Sequence, residues 1–138
     1  MRAALHALTA LLILAGASSA WAAPKAPKIN AKGEAKLATF LEGRTAGPPQ
    51  DCIDPRSAVE VEIFDGTAIV YKVPGGKAYV NRPSAGAGAL EYDVMVSSRT
   101  YEARLCKNDM MIVTEPGSRL PSGALSLGSF VPYGPVER

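Results

Sequence analysis

Two pairs of carboxylates carry the spacing that acid/base chemistry would use. Glu60 and Glu62, and again Glu91 and Asp93, stand two residues apart. On a strand the members of each pair share a face about 7 Å from one another, a separation compatible with hydrolysis of a sugar bond. The same spacing also arises wherever a strand turns one face to water. Nucleophilic catalysis has less to draw on. The chain's one histidine, His6, and its one tryptophan, Trp21, both fall in an N-terminal stretch that reads as a leader. Once that stretch is removed, no imidazole remains as base, metal ligand or pH switch. No Ser-x-x-Lys spacing follows residue 22, so lysine-assisted serine chemistry is not indicated. Lys107-Asn108-Asp109 and Glu91-Tyr92-Asp93 lack the pattern of a calcium loop. The run Ser84 to Ala89 has two glycines but not the flanking strand and helix of a phosphate-binding loop. No metal and no cofactor are expected.

The leader accounts for the first 22 of 138 residues. Arg2 supplies a positive start, Leu5 to Ala15 is apolar but too short to span a bilayer, and Ala20-Trp21-Ala22 offers small residues at a cleavage site. Cleavage is expected after Ala22. No later segment approaches about 18 apolar residues, so no transmembrane segment is expected and the product should be periplasmic or secreted. Residues 23 to 33 carry three lysines, two prolines and no acid, the composition of a flexible basic arm. Residues 34 to 138 hold 11 basic and 13 acidic side chains and read as one globular domain. That balance does not suit a nucleic-acid binder, which presents a dense basic face.

An oxidising compartment permits disulfides, and a small core benefits from one. Cys52 and Cys106 are the only two cysteines. Far apart in sequence and without a histidine beside them, they suit a structural bridge better than a redox pair.

The elements that must position these residues are mostly strands. Glu34 to Glu42 predicts a short helix with Leu37, Phe40 and Leu41 on one stripe and Gly43 to end it. Val59 to Phe64 and Thr67 to Val73, joined by Asp65-Gly66, predict a hairpin with a two-residue turn. The three residues Pro74-Gly75-Gly76 then lead to a strand over Lys77 to Arg82. In this register Tyr71 pairs with Tyr79 and Val70 with Val80. Val61, Ile63, Ala68, Val70, Ala78 and Val80 form the core face, while Glu60, Glu62, Ile69, Tyr71, Tyr79 and Asn81 form the other. Further strands are expected over Val94 to Ser98, Met110 to Thr114 and Ala124 to Tyr133, the last with Leu125, Leu127, Val131 and Tyr133 on one side. The fold class is mainly β (α+β), with about six antiparallel strands in a small barrel or curled sheet. The second face, with Tyr71 beside Tyr79, Glu60 and Asn81 flanking them and Arg82 nearby, is a candidate binding platform for a sugar ring, peptide or partner protein.

The segments Asp65 to Tyr71, Tyr79 to Pro83, Leu105-Cys106, Pro121-Ser122-Gly123 and Gly128 to Tyr133 resemble those of a group of small exported bacterial proteins with a single disulfide-bonded domain. The resemblance covers most of residues 37 to 133, both cysteines included. It implies export and the disulfide but brings no activity or ligand. The expectation is a non-enzymatic domain that binds an envelope protein or glycan; the alternative is a small envelope hydrolase using the paired carboxylates.

Overall fold

The computed structural model describes residues 30–91, 94–98 and 103–135. The leader, residues 23–29 of the basic arm and Asp93 lie outside the described residues. Within them the fold is mainly β, with one helix and ten short strands in three antiparallel sheets, none closed into a barrel.

Helix α1 spans Ala31–Leu41 and starts three residues before its expected beginning. The cause is Asn30, whose side chain accepts a 3.0 Å hydrogen bond from the Gly33 amide and so caps the first turn. Residues 30–33 therefore belong to the fold rather than to a flexible arm. Gly33 is buried against the turn of the neighbouring hairpin, where an added Cβ would lie 2.0 Å from the Asp65 carbonyl oxygen. At the other end Gly43, with φ of 70°, takes the left-handed conformation that ends a helix. Eleven residues make a helix too short to persist alone in water. Tertiary packing holds it.

That packing is provided by a five-stranded sheet ordered β1(Thr45–Ala46), β10(Phe130–Gly134), β5(Lys77–Asn81), β4(Ala68–Val73), β3(Glu60–Phe64). The face under α1 presents Phe64, Ala68, Val70, Ala78 and Val80 to Leu37, with Phe40, Leu41 and Tyr133 at the margin. Two alanines in the middle let the helix approach closely, and Phe40 meets Phe64 at 5.8 Å between ring centroids.

The opposite face is covered by a second sheet ordered β6(Met95–Ser98), β8(Met110–Thr114), β9(Pro121–Ser126). Ile69, Tyr71 and Phe130 of the first sheet meet Met111, Val113 and Leu125 of the second, with Leu90 and Leu127 between them. A pair of two-residue strands, β2(Cys52–Ile53) and β7(Leu105–Cys106), adds Ile53 and Leu105 to this core. The two cysteines are directly opposed across that pair and joined by the expected disulfide.

The register between β4 and β5 is the expected one, with Tyr71 opposite Tyr79 and Val70 opposite Val80. That between β3 and β4 is not. Phe64 pairs with Ala68, so the loop is Asp65-Gly66-Thr67, three residues rather than two. Only Gly66 has positive φ, at 59°, whereas a type I′ turn needs it at both central positions. Thr67 is drawn into the loop, its amide donating to the Phe64 carbonyl and its hydroxyl to that of Asp65. A shift of one residue moves every side chain of β3 to the other face. Glu60 and Glu62 therefore stand on the helix side, and Val61 and Ile63 on the side of Tyr71.

The expected strand over Ala124 to Tyr133 is instead two, β9 and β10, in different sheets. The break lies at Gly128, which passes so close to β5 that an added Cβ would stand 2.1 Å from the Arg82 carbonyl oxygen. Asn81, fully buried, ties this crossing down by donating to the Gly128 carbonyl at 2.8 Å and accepting from its amide at 3.1 Å. Leu125 and Leu127 consequently enter the inter-sheet core, whereas Tyr133 joins the helix side.

Candidate ligand cleft between the two sheets

The tyrosine platform does not form, because the second sheet covers it. Tyr71 is 4 % exposed, its ring 6.0 Å from that of Phe130. Tyr79 is directly opposite and half-buried, and Asn81 is in the core. Arg82 is turned to α1, where its guanidinium grips the Glu34 carboxylate with contacts of 2.5 and 3.0 Å. That carboxylate raises the already high pKa of Arg82 further. Glu60 lies on the other face of the sheet. The five residues share no surface.

Of the two carboxylate pairs, Glu60 and Glu62 are both engaged by one lysine, and the second pair lies partly outside the described residues. Lys72 projects between Glu60 and Glu62, 2.9 and 2.8 Å from their oxygens, and its ammonium also lies 5.5 Å from the centre of the Phe40 ring. Hydrogen bonds to Glu62 and Glu60 raise the Lys72 pKa. The ammonium fills the space between these carboxylates that a glycosidic oxygen would need. Glu91 is exposed at the far end of the short turn over Ala87–Ala89.

What the geometry does build is an apolar cleft of about 450 Å³ at the open side of the two sheets. Its walls are side chains of β3 and β4 on one side and of β6 and β8 on the other. β3 and β6 are both edge strands among the described residues. Val61, Ile63, Ile69 and Tyr71 face Val96 and Met111, and Pro55 and Leu105 belong to the same lining. The mouth is marked by Val61, 52 % exposed, and Met95, 64 % exposed. Two lining residues are close in sequence to the disulfide, Leu105 adjoining Cys106 and Pro55 following Cys52 by three residues. No family model matches the chain, and no curated protein or solved structure is similar to it.

Among the described lining side chains Tyr71 alone carries an oxygen or nitrogen atom, and burial pushes its phenol up to about 12. Folded Tyr71 thus holds its proton more tightly than the unfolded residue, whose pKa is about 10. Its contribution is intact below pH 10 and is lost as the pH rises from about 10 to about 12, a loss of roughly 2–3 kcal/mol. In an alkaline titration followed by phenolate absorbance, Tyr71 should give a late step near pH 12, and Tyr71→Phe should remove it. Retention of the late step in the variant would assign it elsewhere.

The sequence points to Val61 and Ile63 as apolar residues alternating with acids, which reads as an ordinary core face. Their place at a cleft mouth follows from the edge position of β3, and edge position depends on sheet order rather than on local pattern.

Proposed function

We propose that the chain is an exported, non-enzymatic binding domain of the cell envelope, and that the inter-sheet cleft takes an apolar part of its ligand. The cleft carries this reading: its volume falls in the range of about 300–1,000 Å³ usual for small-molecule sites, and exposed Val61 and Met95 extend its apolar lining to the surface. Export is supported by the Arg2 to Ala22 leader pattern, by the disulfide, which suits an oxidising compartment, and by the resemblance to small exported bacterial proteins. No described helix is long and apolar enough to cross a membrane. The carboxylate hydrolase reading gains nothing from Glu60 and Glu62, both of which are bound to Lys72.

The full chain, expressed with its leader and purified after export, should enhance the fluorescence of N-phenyl-1-naphthylamine, a neutral probe that brightens in apolar sites. Val61→Asp, which places a charge at the mouth of the cleft, should weaken that binding about tenfold. A folded wild-type protein that leaves the probe dark would end the proposal.

A further inference from the structure

We propose that a second pocket, at the opposite edge of the five-stranded sheet, binds an N-acetylated sugar ring stacked on Tyr79 and Pro132. This pocket is built on β1, β10 and β5, whereas the cleft uses β3 and β4 of the same sheet, so the two sites are separate.

The floor follows from the register. Pro132 stands directly opposite Tyr79, which sets a prolyl ring beside a phenol ring on one face of the sheet. β10 lies between β1 and β5, and a proline in an inner strand forgoes a ladder hydrogen bond. Its ring therefore occupies this position at a cost to the sheet. Gly47 leaves that ring open: its amide donates to the Pro132 carbonyl at 2.7 Å, and an added Cβ would stand 3.1 Å from the Pro132 Cγ. A larger residue at 47 would lay its side chain on the floor. Half-buried Tyr79 beside an uncovered proline offers a flat surface for the C–H face of a pyranose ring, whose positive edge meets the negative face of the phenol.

The rim matches the rest of the ligand. Gln50, Thr45 and Lys77 line the same pocket and are exposed. An amide and a hydroxyl each donate and accept, as the hydroxyls and acetamides of a sugar do, and the ammonium supplies further donors. The lining is nonetheless mainly apolar. An acetamide brings it a methyl group, where a plain hydroxyl would not. The volume of about 320 Å³ stands at the small end of the range of about 300–1,000 Å³ usual for ligand sites, which suits one ring with its substituent.

Saturation-transfer NMR on the full chain, expressed with its leader and purified after export, tests this with N,N′-diacetylchitobiose and cellobiose. The two share a linkage and differ in the acetamides. Saturation should reach the acetyl methyl and ring protons of the first, which should bind at least about fourfold more tightly than cellobiose, the value of one carbon group removed from water. Gln50→Ala should weaken it about fivefold, the scale of one lost hydrogen bond. Gly47→Val should abolish binding by covering Pro132, with the circular dichroism of the wild type in both variants. Val61→Asp, at the mouth of the cleft, should leave sugar binding unchanged. A wild type that receives no saturation transfer, binds both disaccharides alike or prefers the acetylated peptide N-acetylalanine methylamide would overturn the proposal. Wild-type affinity in either folded variant would overturn it too. The cleft would stand in each case, because naphthylamine fluorescence reads it separately.

Discussion

Replacing Cys52 and Cys106 with serine should lower stability by about 4 kcal/mol, the loop-entropy value for a crosslink spanning 54 residues. For a domain of about 100 residues that corresponds to a fall in melting temperature of roughly 15–30 °C. The size of the effect has a local cause beyond chain entropy. β2 and β7 pair through only two residues each, Cys52 with Cys106 and Ile53 with Leu105. Ile53 and Leu105 are 5 and 6 % exposed and pack into the inter-sheet core. Without the covalent link, two residue pairs must hold that corner of the core by themselves. Calorimetric scans of the wild type and the double variant measure the difference, and a shift below about 5 °C would show that the bridge is structurally idle.

Asn81→Leu should cost about 2–5 kcal/mol, although it exchanges a buried polar side chain for an apolar one of similar size. Gly128 is buried, and both its amide and its carbonyl bond only the Asn81 side chain among the described contacts. Leucine would leave both groups without a partner, each at about 1–3 kcal/mol. Asn81→Asp keeps an acceptor for the Gly128 amide but turns a carboxylate toward its carbonyl, so it should not rescue the loss. Urea unfolding of the two variants provides the measurement. A leucine variant within about 0.5 kcal/mol of the wild type would mean that water replaces the side chain at this crossing.

Some of this fold can be read from residue order alone. The β4–β5 register follows from Pro74-Gly75-Gly76, a three-residue turn with both glycines at positive φ, which fixes Tyr71 opposite Tyr79. The disulfide follows from there being two cysteines. The β3 register does not follow, because the loop length turns on whether Thr67 joins the strand or bends back to Asp65, and those outcomes differ by hydrogen bonds to its own neighbours. From that one residue came the misplacement of Glu60 onto the tyrosine face. The covering of Tyr71 was equally hidden, since alternation shows that a face is apolar but not which element lies on it. The strands Thr45–Ala46, Cys52–Ile53 and Leu105–Cys106 are two residues long, too short to leave a period in the sequence.

Strand β4 sends Ala68 and Val70 into the core beneath the helix and Ile69 and Tyr71 into the core between the sheets. It is hydrogen-bonded on both sides, to β3 and β5. Partial opening therefore has an order. Release of α1 uncovers one core and leaves β4 paired and still packed on its other face, so helix amides can exchange with solvent through a local fluctuation. Amides of residues 69–71 exchange only when both layers are lost, which requires unfolding of the whole domain. Occupancy of the cleft, which touches Ile69 and Tyr71, would accordingly register most strongly in the slowest-exchanging amides, while the helix retained its own faster rate.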